Sequence, residues 1–182
     1  EAAVRQEEKL TALGRLSAGL AHELNNPAAA SVRAARQLPD VLLRLQALAF
    51  QLNELKLSPE QLAHLTARQE EVMARMSQPD RLDPLERSDR EELVAAWIEA
   101  HGVDQGWQLA PMLVRAQITV DELNDLKAAL GGEALDHALV WLEGMITVVD
   151  VLNTIAQSSE RIHHLVSAIK AYSYMDQSPV QE

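Results

Sequence analysis

Cysteine is absent from the 182-residue chain. Neither a disulfide framework nor thiolate chemistry is open to it, which fits a reducing compartment. Aromatic residues make up only 3 % although 47 % of the chain is hydrophobic, so the interior must be built from Leu, Ala, Val, Ile and Met. Seven glycines and seven prolines leave long Leu/Ala/Glu/Arg/Gln segments between them, without the turn-rich, β-branched alternation of an all-β protein. An all-α fold is expected, and the length suffices for a real core. Positive charge is scarce as well: 16 Lys+Arg against 27 Asp+Glu give a formal net charge of −11. That argues against the cationic surface that phosphate neutralisation requires, and so against a nucleic-acid partner. Nothing resembles a signal peptide. The most apolar later stretch, Ala138 to Ala156, carries Glu143 and Asp150, so it reads as a bundle helix and not as a membrane span. A cytoplasmic location is expected. The opening at Glu1 reads as a cut inside a longer protein, whose own attachment to a membrane stays open.

What is present is helical periodicity. Leu10, Leu13, Leu16, Leu20 and Leu24 recur at spacings of three and four, the period of one buried helical face. They predict a first helix from about Ala2 to about Gln37, interrupted by Pro39 and followed by a second apolar run from Val41 to Leu57. Ser58-Pro59-Glu60-Gln61 opens a helix with proline in its first turn and a capping glutamine, lasting to about Met76. Residues 77–88, with two prolines and many charges, are the best candidate loop. Ser88 and Glu91 form a second capping-box pair, for a helix ending near Gly102. Short helices follow at about Pro111 to Gln117 and Val120 to Leu130, then Gly131-Gly132 breaks the chain. From about Glu133 the pattern is helical almost to Met175. The first and last helices would each extend on the order of 50 to 60 Å, and two such rods cannot hide their apolar stripes alone.

The stretch Gly19 to Ala30, "GLAHELNNPAAA", sets poor helix formers inside the first helix. At about 100° per residue, His22 lies roughly 200° from Leu20 and 160° from Leu24, away from the apolar stripe. Its surface neighbours, three and four residues away, are Ala18, Gly19, Asn25 and Asn26. An exposed imidazole in a clearing of small uncharged side chains can be approached by a large reactant, with Glu23 adjacent to orient the ring or take its proton. Pro27 cannot donate to the carbonyl of Glu23, at a cost of about 3 kcal/mol in a regular helix, and Gly19 adds roughly 1 kcal/mol relative to alanine. Because the apolar pattern does not stop there, a kink just after His22 is expected, where the two halves could move against each other. Taken alone, a surface His-Glu is ordinarily just a solvated pair. A zinc site of the His-Glu-x-x-His kind would need histidine at position 26, where the chain has Asn26.

With histidine, acidic residue, hydrophobe, asparagine and proline in this order, Glu8 to Pro27, "EKLTALGRLSAGLAHELNNP", resembles the H-box region of sensor histidine kinases of two-component systems. The closing "SSERIHHLVSAIKAYSYMDQSPVQE" resembles the second helix of their dimerisation and histidine-phosphotransfer domain and the start of its linker. Together these segments cover about a third to a half of the chain. The resemblance implies that His22 is the phosphoacceptor, Glu23 the acidic neighbour that deprotonates or orients it, Asn26 the position that holds water for dephosphorylating a response regulator, and Pro27 the bend. It further implies a long antiparallel helical hairpin, two copies of which form a four-helix bundle. The expected organisation is residues 1–38 for the first hairpin helix, 39–132 for a helical insertion of unknown role, 133–176 for the second hairpin helix, and 177–182 for the start of a linker to a missing ATP-binding domain. Expected partners are a second copy of the chain, its own ATP-binding domain and a response-regulator receiver domain. No cofactor or metal is expected in these residues. ATP and Mg2+ would arrive with the missing domain, since neither an Asn-bearing magnesium box nor a Gly-rich nucleotide lid is present, and the fragment should not phosphorylate itself alone.

The insertion of about a hundred residues departs from the short connection usual in that family. The competing expectation is a non-catalytic dimerisation or signal-sensing scaffold in which the transfer site is idle. Arg33 and Arg36 lie within about 40° of His22 further along the helix; they could meet the acidic pocket of a response regulator or be ordinary solvated arginines. His163 and His164 diverge by about 100° as helix neighbours, so they cannot share one ion comfortably, and they read as structural. His64, His101 and His137 are isolated and take no role. Trp97, Trp107 and Trp141 are expected to anchor the packing of the insertion.

Overall fold

The computed structural model describes the backbone of residues 2–78, 82–103 and 106–176 and the side chains of 19–78, 82–103, 106–132 and 134–171. The fold is all-α: the described residues form six helices and no strand. They are α1 (Ala2–Glu54), α2 (Pro59–Met76), α3 (Pro84–Ala100), α4 (Gly106–Arg115), α5 (Val120–Leu130) and α6 (Gly132–Asp176). The expected linker at 177–182 lies outside the described residues.

Local chemistry accounts for several helix ends. Ser58 accepts from the Gln61 backbone N–H while its own N–H donates to the Gln61 side chain at 2.9 Å, the anticipated capping box. α3 opens four residues before the Ser88 start read from the sequence. Asp83 is its N-cap, accepting from Leu85 N and Glu86 N at 2.9 Å each, with Pro84 at the first helical position. Just past the end of α3, Gly102, with a φ of +75°, lets the Val103 N–H reach back to the Ile98 carbonyl at 3.2 Å. α4 begins earlier than expected, at Gly106, and carries Pro111 inside it. Thr119 and Glu122 make a second complete capping box, at the start of α5.

The largest departure is α1. Its helix does not break at Pro39 but continues to Glu54. A proline inside a helix frees the carbonyl four residues back. Here Pro39 and Ala35 are both exposed, so water can take the freed carbonyl and the helix survives.

The chain forms two compact units, Leu38–Asp150, and Glu1–Gln37 together with Val151–Glu182. The first contains α2 to α5, the end of α1 and the first part of α6. Its core includes Leu65 and Val72 of α2, Val94 and Ile98 of α3, Leu113 and Val114 of α4, Leu123 and Leu126 of α5, and Leu135, Leu139, Leu142 and Ile146 of α6. That burial places residues 132–150 with the helices before them; the break at Gly131-Gly132 does not separate the unit. Within the unit, α4 presses on α3 at Gly106, where a Cβ would come 2.8 Å from the Ala95 carbonyl oxygen. α6 approaches α1 at Gly144, where a Cβ would lie 3.2 Å from Leu45 Cδ1.

α2 and α5 are joined by charge. Arg68 and Arg75, seven residues apart on α2, both reach Glu122 Oε1 at 2.6 Å. Gln61 Nε2 donates to the last α5 carbonyl, Leu130 O, at 3.0 Å. Burial opposes ionisation of Glu122, but the Arg75 hydrogen bond, the Thr119 backbone N–H and the charges of Arg75 and Arg68 outweigh it, and the carboxyl is held below its ordinary range. The hydrogen bond to Glu122 in turn raises Arg75.

α6 also contains one stretch, Ala134–Ala171, long and apolar enough by composition to cross a membrane. Its first half supplies core leucines. Two of the acids there are ion-paired, Glu143 with Arg44 at 3.0 Å and Asp150 with Arg115 at 3.2 Å.

The other unit buries little among its described residues: Pro27 and Ala34 on α1, Val151 and Ser158 on α6. Charge is divided unevenly between the two. Residues 38–150 hold 20 Asp+Glu against 9 Lys+Arg, whereas the remaining residues hold 7 of each. The whole net charge of −11 therefore belongs to one unit.

Candidate functional site

The described part of α1 from Gly19 onward has a clear inner side. Leu20, Leu24, Pro27, Ser31, Ala34 and Leu38 are buried or half-buried, and helical geometry sets all of them about 120° to 200° around the axis from His22. His22 is exposed, as are Ala21, Glu23, Asn25 and Asn26. At Gly19, a Cβ would meet none of the described residues within 4 Å. The clearing around the imidazole is thus open, and the nearest carboxylate in sequence, Glu23, shares its exposure to solvent. Asn26, one turn on, sits beside His22 on the helix surface.

Pro27 is buried while α1 runs through it without interruption. The carbonyl it deprives of a donor belongs to the exposed residue Glu23, next to the imidazole. Arg33 and Arg36 are both exposed. This surface can perform nucleophilic and proton-transfer chemistry on a reactant delivered from outside. The imidazole is a nucleophile in its neutral form, a carboxylate adjoins it, and an amide lies one turn away.

The remaining histidines are dispersed. His163 and His164 are both exposed, with ring centroids 6.1 Å apart, and His164 Nε2 lies 3.8 Å from Glu160. His101 stacks on Trp97, with centroids 4.0 Å apart, and its Nδ1 is 2.6 Å from the Trp97 carbonyl oxygen. His64 lines an open cavity of about 490 Å³ between α2 and α5, with Arg68 and Asp125. Among the described residues no cluster of His, Asp and Glu is arranged to hold a metal ion.

The three tryptophans do not behave alike. Trp97 is buried and donates to Asn124 Oδ1 at 2.9 Å, and Trp141 is half-buried against the core. Trp107, expected to anchor packing, instead stands 68 % exposed on α4.

The chain matches no protein-family model, no curated protein and no solved structure.

Proposed function

We propose that this chain is the phosphoacceptor and dimerisation module of a protein histidine kinase, with His22 as a transient carrier of a phosphoryl group. What supports the reading is the open surface at His22: an exposed imidazole, with Glu23 and Asn26 exposed beside it and empty space at Gly19. In this reading a ring nitrogen of His22 attacks the γ-phosphorus of ATP. The N–P bond forms as the bond to the β–γ bridging oxygen breaks, ADP leaves, and Glu23 takes the ring proton. ATP and Mg2+ are held by a separate ATP-binding domain. Positioning dominates the barrier, because the nucleophile has to lie in line with the leaving oxygen.

The phosphoryl group then passes to an aspartate of a response-regulator receiver domain, which Arg33 and Arg36 help to seat. Asn26 holds the water that reverses the modification of the regulator. Residues 1–37 and 151–176 act as the two strands of a helical hairpin that pairs with a second copy into a four-helix bundle. Pro27 gives α1 a bend there, which selects the partner that reaches His22.

The test supplies a competent histidine-kinase ATP-binding domain and labelled ATP, and follows acid-labile label on the chain. Label on the parent and none on His22→Gln is the expected result. Label that persists in His22→Gln removes His22 from the mechanism. No label on the parent, with a donor shown to be active, favours a non-catalytic scaffold instead.

A further inference from the structure

The acidic unit presents an apolar face that its own core does not use. On α3, Val94, Trp97 and Ile98 are buried, and helical geometry sets Leu85, Leu93, Ala96 and Ala100 together on the opposite side, within about 80° of one another. All four are exposed, Leu85 by 73 % and Leu93 by 63 %. Single exposed leucines are unremarkable on a protein surface, but an aligned set on one helix face is what interaction sites use.

The face is acidic. Asp89 lies between Leu85 and Leu93, and Glu86, Glu92 and Glu99 border it, all exposed. Arg90, one turn after Glu86, is engaged with it at 2.7 Å. At the C-terminal end of α3, Gly106 packs on Ala95 and Glu99, and the next residue is the exposed Trp107. An aromatic beside an apolar strip is the residue type most often found to anchor an interface. The surrounding unit carries the full −11 of the chain, a field that attracts a cationic partner and repels a second copy of the same unit.

We propose that the outer face of α3, with Trp107 beside its C-terminal end, docks a lysine- and arginine-rich amphipathic helix of a partner protein. Apolar residues of that helix spaced by seven or eight positions meet Leu85 and Leu93, and its cationic flanks meet Asp89, Glu92 and Glu99, the helix-against-helix mode of recognition. This docking is independent of phosphoryl transfer at His22.

The probe is a fluorescein-labelled eighteen-residue peptide of leucine and lysine in amphipathic helical order, titrated against the chain by fluorescence anisotropy. Leu85→Ser with Leu93→Ser, and separately Asp89→Lys with Glu92→Lys, are each expected to weaken binding about tenfold or more. Leu62→Ser with Glu70→Lys, the same change of character on the exposed side of α2, is expected to leave it within about twofold. Circular dichroism confirms that each variant keeps the parent's helicity. Equal weakening by the α2 and α3 variants, or none by the α3 variants, overturns the proposal in favour of diffuse attraction to an acidic protein. Self-association of the parent that Leu93→Ser abolishes, with peptide binding unchanged, overturns it in favour of a second copy.

Discussion

At position 19 no described neighbour requires a glycine. In an exposed helix interior, glycine costs about 1 kcal/mol against alanine, and a Cβ at this position would touch none of the described residues within 4 Å. Gly19→Ala should therefore raise thermal or denaturant stability by up to about 1 kcal/mol. Gly19→Trp, which fills the clearing, should leave helicity intact and lower phosphoryl uptake at His22 at least tenfold. Gly106 is the opposite case. Its missing Cβ is demanded by a backbone oxygen 2.8 Å away, so Gly106→Ala should cost about 1 to 3 kcal/mol in urea unfolding. Asn26→Ala should depress dephosphorylation of a response regulator while phosphorylation of His22 survives; loss of both would mean that the substitution disturbs the helix. Such distinctions lie partly beyond a sequence. The exposure of His22 follows from the leucine period, but the same glycine residue type is dispensable at 19 and indispensable at 106, and only the neighbour across the contact decides which.

Among the elements, the helix junctions hold by named charges. Glu122 caps α5 and is clasped by two arginines of α2. Its carboxyl is held below the ordinary value of about 4.3, so it contributes stability that is present above that pH and lost as pH falls through the lower folded value. Urea unfolding followed downward from neutral pH should show stability declining below about pH 4.3, and Glu122→Gln should flatten that decline at a cost of about 2 kcal/mol at neutral pH. The buried Glu143 is ion-paired with Arg44 at 3.0 Å, and Thr147 donates to it at 2.8 Å. Arg44→Ala leaves that carboxylate without its cation and should cost more than Glu143→Gln, which removes the charge along with the need for it. The start of α2 was legible because its cap is written in four adjacent residues. The start of α3 misled because Ser88-Asp89-Arg90-Glu91 spells the same signature inside a helix already begun by Asp83 and Pro84. Pro39 misled because a proline need not end a helix where its freed carbonyl is open to water, as that of the exposed Ala35 is.

At the scale of the whole molecule, composition gave the all-α class directly: few aromatics, few glycines and a leucine period admit little else. The grouping of residues 132–150 with the insertion was not legible, because α6 keeps one apolar pattern along its length while its first part packs into one core and its remainder belongs to another unit. That remainder exposes Leu152 and Val166, fourteen positions apart and within about 40° on one face, as does Val32 on α1. Two helices cannot cover such residues alone, and pairing with a second copy would. Light scattering during gel filtration should give twice the chain mass, and Leu152→Lys with Val166→Lys should shift it toward the single chain. An unshifted mass would remove this face from the dimer.

The identity of the phosphorylated atom tests the account most directly. The chain, labelled by a competent ATP-binding domain and kept at neutral to alkaline pH, would be digested and its peptides fragmented by electron transfer, which preserves the labile N–P bond. One phosphoryl group on His22, absent from every serine, threonine and other histidine, is the predicted result. A phosphoryl group mapped to any other residue, with His22 unmodified, would contradict it.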